Sequence, residues 1–145
     1  MIDDLLEAEE IEVVETEFRG NLKGLYSDGV IFIDKTLSEK ERTCVLAEEL
    51  GHYFTSYGDI VDLDDVKCVK QEILARRWAY ESLLPIERIV DGIKKGHQCG
   101  YDLADFLNVT EKFLQDCIFY YKCKYGITFV IDDQGINFDN LRVRR

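Results

Sequence analysis

The sequence predicts an α+β fold that is rich in helix and has a small antiparallel sheet. Two patterns lead to this prediction. Residues 22–34 carry apolar runs interrupted by glycine, as a β-hairpin does. From residue 39 onward, the apolar spacing and the capping residues are those of helices. The chain has 145 residues, 46% of them apolar, which is enough to bury a core without disulfides.

The hairpin is the main strand prediction. Its strands are expected at residues 22–26 and 30–34, with the turn between them at residues 27–29. The segment before it, residues 11–18, alternates only partly and fits either a strand or a helix. Residues 1–10 fit a short acidic helix or a frayed end.

Two long helices are predicted next. Ser38 and Glu41 form an S-x-x-E capping box, which satisfies free backbone N–H groups at the start of a helix expected over residues 39–54. The second helix is expected to run from residue 64 or 65 to about residue 84. Pro85, the only proline in the chain, marks a helix end or a fresh start, because proline forces the preceding residue out of helical geometry.

The remainder is predicted to be mostly helical. A short helix is expected over residues 86–95, and a helix–turn–helix segment follows at residues 102–125, with Thr110 as an N-cap. A last strand is expected at residues 127–132, and residues 133–145 are expected to form a polar tail.

These elements suggest a division of the chain after Pro85. Residues 1–85 would form the core domain. Residues 86–145 would form the helix–turn–helix-like segment with its C-terminal strand, and we expect this segment to pack on the core as a single domain.

The net charge of −11 argues against nucleic acid as a direct partner, since such a chain repels phosphate. The acidic start lacks the basic and apolar regions of a secretory signal. No apolar run approaches the ~20 residues needed to cross a bilayer. The five cysteines are odd in number and form no C-x-x-C pair, as in a reduced protein. We therefore expect a cytoplasmic protein with no membrane contact.

The chemically informative string runs through Glu48, Glu49 and His52. Residues four apart lie on one face of a helix, so Glu48 and His52 can direct their side chains to a common point. This is the spacing of H-E-x-x-H, in which two histidines bind zinc and the glutamate is a general base. Here Glu48 replaces the first histidine. A glutamate pair beside a histidine is also a common solvated helix face, and that alternative remains open.

A third ligand is expected from the next helix, because catalytic zinc has three protein ligands and one open position. Glu72 is the candidate, since it lies one turn before Ala75 on the apolar side and is expected to face inward. The alternative is a surface salt bridge between Glu72 and Arg76 at i+4.

Together these residues resemble the ImmA/IrrE family of metallopeptidases, especially the short members from phages and mobile elements. The resemblance covers most of the chain and is carried by the combination of motifs, which are Glu49-Leu50-Gly51-His52-Tyr53, Thr55-Ser56, Gly58-Asp59 and Glu72…Ala75…Trp78-Ala79…Leu83-Leu84-Pro85.

The resemblance implies a zincin-like domain with the activity of a zinc endopeptidase. It implies that His52 and Glu72 are zinc ligands and Glu49 is the general base. Glu48, in the place of the first histidine, would be the remaining ligand and could shift the preference toward Mn²⁺ or Fe²⁺. The implied substrate is a helix-turn-helix repressor, whose cleavage relieves repression of a phage or mobile element.

Two other functions stay open. The Glu48 substitution also suits a catalytically degenerate protein that binds and inactivates the repressor without cleavage. A DNA-binding regulator is a weaker alternative. For an active enzyme, an extended substrate is expected to add beside the hairpin edge, and Tyr53 or another nearby donor would stabilise the oxyanion.

Overall fold

The structure is a computed structural model, and it describes residues 2–55, 65–131 and 133–144. The chain forms two compact units, Met1–Leu83 and Leu84–Arg145. This division lies close to the boundary expected after Pro85. The packing of the two parts as a single domain stays a prediction.

The first unit contains a three-stranded sheet in the order β1-β3-β2. β2 (Gly24–Ser27) and β3 (Val30–Asp34) form the predicted antiparallel hairpin. Its turn is tight, with Asp28 and Gly29 at φ 45° and 80°, as a two-residue hairpin loop requires. β1 (Glu12–Thr16) pairs with β3 in parallel, so this sheet is mixed rather than wholly antiparallel.

The order of the strands agrees with the burial of β3. Ile31 and Ile33 on β3 are completely buried, so β3 takes the central position. β1 therefore adds to the far side of β3 and resolves the earlier ambiguity of residues 11–18 in favour of a strand.

Three helices accompany this sheet in the described part of the first unit: α1 (Ile2–Ala8), α2 (Glu39–Thr55) and α3 (Asp65–Leu83). The capping box of α2 is present: the Glu41 N–H donates to Ser38 Oγ at 3.2 Å, and the Ser38 N–H donates to Glu41 Oε1 at 3.5 Å. The side chains buried between sheet and helices are Ile31, Ile33, Leu46, Ala47, Leu50, Ala75 and Ala79.

The second unit begins with α4 (Ile86–Lys94), followed by α5 (Gly100–Leu107) and α6 (Glu111–Tyr125). Asn108, in the left-handed region, ends α5, and the Thr110 side chain accepts from the Phe113 N–H at the start of α6. The predicted helix–turn–helix segment is thus confirmed.

The C-terminal residues differ from the prediction. The last predicted strand is present as β4 (Thr128–Ile131), but the expected polar tail forms two further strands, β5 (Gln134–Asn137) and β6 (Arg142–Arg144). These make an antiparallel sheet in the order β4-β5-β6. The prediction of a polar tail at residues 133–145 is wrong because the apolar residues of this segment are scattered among polar ones. Those residues are buried: Ile136, Phe138 and Leu141.

The α+β class is therefore confirmed, with helices and small sheets in both units. No described helix is both long and apolar enough to span a membrane.

Candidate active site

The candidate site lies where α2 and α3 face each other. His52 Nε2, in the last turn of α2, is 3.4 Å from Glu72 Oε1 on α3. The His52 side chain is mostly shielded, with 24% of its surface exposed, whereas that of Glu72 is 53% exposed. The structure thus brings together two of the residues that the sequence selected, from separate helices.

A close helix crossing accounts for this contact. A Cβ added to Gly51 would overlap the backbone carbonyl oxygen of Ala75 and lie 3.0 Å from its Cα. Only glycine permits two helix backbones to approach in this way. His52 follows Gly51 directly, and Glu72 lies one turn before Ala75, so the crossing sets the distance between the two functional side chains.

Glu72 is less buried than expected. It lies at the border of the apolar stripe, because a step of three residues back from Ala75 rotates the side chain well away from the centre of that stripe. The prediction that it faces inward is therefore wrong in this respect. The second carboxylate oxygen of Glu72, Oε2, lies 3.9 Å from Arg76 Nε. Glu72 therefore contacts His52 and also approaches Arg76, its predicted alternative salt-bridge partner.

Glu49 is half-buried on the same helix, next to the pair. Burial raises the pKa of its carboxyl to about 7, and the negative charges of Glu48 and Glu72 add to that effect. The backbone N–H of Tyr26 donates to the Glu49 carboxylate and opposes the shift in pKa. A carboxyl group with a pKa near neutrality can both accept and return a proton at physiological pH.

Glu48 lies one turn before His52 on α2 and is half-buried. Within residues 2–55, 65–131 and 133–144, no group of three or more His, Cys, Asp or Glu side chains is arranged to hold a metal ion. The structure therefore assembles the His52–Glu72 pair without Glu48. The complete ligand set stays a prediction.

Strand β2 covers the site from the sheet side. A Cβ on Gly24 would lie 3.2 Å from both Cγ and Oε1 of Glu49, and 2.5 Å from Val45 Cγ1. In the sequence, Gly24 only interrupts the apolar run of the predicted strand 22–26. Gly24 lets β2 pass close over α2. A glycine inside a predicted strand is a sequence signal for such a close approach.

Tyr53 has a partner that the sequence did not indicate. Its hydroxyl donates to Glu9 Oε2 at 2.7 Å, and this bond raises the pKa of Tyr53. The Tyr53 ring also packs edge-on against Tyr26, with centroids 5.6 Å apart. The hydroxyl hydrogen that Tyr53 would donate to an oxyanion is thus already donated to Glu9. The predicted oxyanion role of Tyr53 has no support in this geometry.

Comparison with known protein families bears directly on this arrangement. The family described as the IrrE N-terminal-like domain, Peptidase_M78, matches residues 6–117 of the 145. The match spans the sheet of the first unit, both helices of the candidate site and the helix–turn–helix segment as far as the middle of α6.

The chain belongs to the Peptidase_M78 family.

A comparison with curated proteins finds no match. Membership in Peptidase_M78 makes the chain a metallopeptidase-like protein and confirms the resemblance to the ImmA/IrrE family. It agrees with the zincin-like α+β domain, and it implies a metal cofactor without identifying the metal.

The His52–Glu72 pair fits such a cofactor. Two ligands bonded at about 2.1 Å in tetrahedral geometry lie about 3.4 Å apart. The distance between His52 Nε2 and Glu72 Oε1 is also 3.4 Å. Imidazole nitrogen and carboxylate oxygen are donors that Zn²⁺, Mn²⁺ and Fe²⁺ all accept. The pair thus suits a divalent cation of this Peptidase_M78 protein but does not select one.

Proposed function

We propose that this chain is a metal-dependent endopeptidase of a phage or mobile genetic element, which cleaves a helix-turn-helix repressor and so relieves repression. The observation that supports it is the 3.4 Å approach of His52 Nε2 to Glu72 Oε1, across two helices of a Peptidase_M78 domain. A histidine and a carboxylate from neighbouring helices are two of the three ligands that a catalytic cation needs.

The proposed ligands are His52, Glu72 and Glu48. Zinc is the proposed metal, with Mn²⁺ or Fe²⁺ as alternatives because two of the three ligands are carboxylates. A side-chain rotation would be needed to add Glu48 to the pair. When bound, the cation supplies a Lewis acid that polarises the scissile carbonyl and acidifies water.

The protein's own residues handle the proton. Glu49 is the proposed general base: it takes a proton from water onto its carboxylate and passes it to the leaving amine. Its half-buried position beside β2 and its neighbour His52 suit this task. The edge of β2, directly above Glu49, would hold the substrate in an extended conformation.

The repressor partner is proposed from the family resemblance. The proposed location is the cytoplasm, which agrees with the free thiols of Cys44, Cys99, Cys117 and Cys123. Direct nucleic-acid binding is not part of the proposal. Two lysines of α6 already contact acidic side chains, Lys112 with Asp116 and Lys122 with Asp139.

A second function is supported by one observation. Glu48 stands in place of a histidine, and no three-residue metal group is formed among the described residues. A catalytically degenerate protein that binds and inactivates its repressor without cleavage would have these features.

Metal analysis separates the two functions. The protein is purified without chelator, equilibrated with zinc and dialysed, and bound metal is measured. A peptidase should retain nearly one zinc per chain, and His52→Ala should lose it. The matched control is His97→Ala, the other histidine, which contacts Asp102 instead.

Cleavage is then tested by co-expression with the helix-turn-helix repressor of the same mobile element. Cleavage fragments that disappear in Glu49→Gln, with the circular dichroism spectrum unchanged, support the enzyme. Repressor binding without metal or fragments supports the degenerate protein instead.

A further inference from the structure

The net charge of the protein is confined to one of its two units. The first unit contains 20 of the 29 acidic residues but only nine of the 18 basic ones, so the full formal charge of −11 belongs to it. The second unit holds nine of each and is formally neutral. The unit that carries the candidate active site is therefore the acidic one, and its field attracts positive charge.

The edge of β2 in this unit is suited to receive another strand. Within the described part of the chain, β3 is the only strand that pairs with β2. The bond from the Asp34 N–H to the Lys23 carbonyl shows that Lys23, Leu25 and Ser27 direct their backbone groups toward β3. The backbone groups of Gly24 and Tyr26 therefore point outward.

Acidic side chains lie next to this edge. Glu49 lies beneath Gly24, and Asp28 is exposed in the turn that follows β2. Glu9 accepts from Tyr53, whose ring packs on Tyr26. These three residues are negative when ionised.

Two basic residues, one just before β2 and one beside the candidate site, have acidic neighbours. Lys23, just before β2, lies 3.5 Å from Glu41. Arg76 lies 3.9 Å from Glu72. Lysine or arginine side chains of a ligand would complement the acidic residues beside this edge.

We propose that the edge of β2 binds an extended segment of a partner protein that carries lysine or arginine side chains. This deepens the proposed function, because the bound segment would be the stretch of substrate presented to the active site. Backbone pairing with Gly24 and Tyr26 would give affinity, and the acidic residues beside the edge would select for basic side chains. A carbonyl of the incoming strand would take the Tyr26 N–H that Glu49 now holds.

The chain contains a built-in reporter for this binding. Trp78, its only tryptophan, stacks on Phe54 with ring centroids 4.9 Å apart. Phe54 contacts Tyr53, and Tyr53 contacts Tyr26 on β2. Occupation of the edge should therefore change the fluorescence of Trp78, and calorimetry provides an independent measurement.

The probes are short synthetic peptides of alternating threonine and lysine, with glutamine or glutamate replacing lysine in matched peptides. The metal-free protein should bind the lysine peptide roughly tenfold more tightly than the glutamine peptide, and it should bind the glutamate peptide least tightly. The preference should shrink as ionic strength rises. Equal binding of the lysine and glutamine peptides would overturn the proposal.

Backbone pairing is tested on the peptide rather than on the protein. N-methylation of one alternate set of amides should abolish binding, and methylation of the other set should leave it nearly intact, because only one set faces β2. Equal effects of the two sets would show that the edge is not used and would overturn the proposal.

The contribution of the acidic side chains of Asp28 and Glu9 is tested with a double variant and a matched control. Asp28→Asn with Glu9→Gln should weaken binding of the lysine peptide several-fold and leave the glutamine peptide unaffected. The control pair, Glu12→Gln with Glu17→Gln, removes one charge in β1 and one directly after it, at the opposite edge of the same sheet. An equal loss in both pairs would show only a general charge effect and would contradict a site at β2.

These outcomes are independent of whether the protein is a peptidase. If it binds no metal and cleaves nothing, but holds the lysine peptide with these features, the proposed activity fails and the inference stands. If it is an active metal-dependent enzyme that cleaves lysine and glutamine peptides equally well, the activity stands and the inference fails.

Discussion

Gly51 lies against the backbone of Ala75 so closely that a Cβ on Gly51 would overlap the Ala75 carbonyl oxygen. Both residues are completely or almost completely buried at the crossing of α2 and α3. The contact places His52 and Glu72 within 3.4 Å of each other. The backbone approach and the candidate metal pair are therefore one structural feature, and each can be disturbed through the other.

Replacement of Gly51 with alanine should move the two helices apart. We expect a loss of about 1–3 kcal/mol in the free energy of unfolding, as is usual for overpacking a buried contact, together with weaker metal binding. Urea denaturation and metal titration measure the two effects. Gly100→Ala is the control, since nothing lies within 4 Å of a Cβ at that position. Similar destabilisation by both substitutions would contradict the crossing as the cause.

Arg76 should limit metal affinity, because its guanidinium approaches Glu72 Oε2 at 3.9 Å. Arg76→Met keeps much of the side-chain stem and removes the charge. We expect zinc or manganese to bind a few-fold more tightly, within the range of a surface ion pair. Calorimetric titration provides the measurement. Arg42→Met, which removes a partner of Glu15 instead, should leave affinity unchanged; unchanged affinity in both variants would show that Arg76 does not compete.

Glu49 should make the metal-free protein less stable as pH rises. Its pKa is raised from 4.5 to about 7 in the folded chain, so the folded state binds more protons than the unfolded state between these values. The stabilisation present below pH 4.5 is lost as pH rises through about 7. Its size is on the order of 3 kcal/mol, because one pKa unit corresponds to about 1.4 kcal/mol.

The measurement is urea denaturation across this pH range in the presence of a chelator. Glu49→Gln should remove that part of the pH dependence, whereas Glu12→Gln, an exposed control, should retain it. Parallel curves for wild type and Glu49→Gln would disprove the burial of a protonated carboxyl.

Gly24 should be required for the close packing of β2 on α2. A Cβ there would lie 2.5 Å from Val45 Cγ1 and 3.2 Å from Glu49 Oε1. Gly24→Ala should therefore lower stability by about 1–3 kcal/mol and reduce any peptidase activity. Adding Val45→Ala makes room for the new methyl group, so the double variant should lose less than the sum of the two single changes. Simple additivity, measured by denaturation, would argue against the contact.

Much of the local structure could be predicted because its causes lie close together along the chain. The capping box of Ser38 and Glu41 begins α2 where expected. The Thr110 cap begins α6, and the Asp28–Gly29 turn closes the hairpin. In each case a side chain or backbone group interacts with another only two or three residues away, and such contacts are visible in the sequence.

The remaining features depend on contacts between distant segments. For this reason the sequence did not predict the parallel addition of β1, the strands β5 and β6 of the C-terminal sheet, or the half-exposed position of Glu72. The sequence predicted no packing role for Gly24 or Gly51, yet each permits a close backbone approach. The packing role of a glycine can be recognised only when the element that packs against it is known.

By itself, the sequence determined the helix containing Glu48, Glu49 and His52, and it selected Glu72 as their partner, because helical spacing and family motifs are properties of the chain. Only the tertiary structure decided that His52 meets Glu72 while Glu49 contacts β2. The physical reason is that these distances are set by how closely backbones pack, at Gly51 against Ala75 and at Gly24 above Glu49.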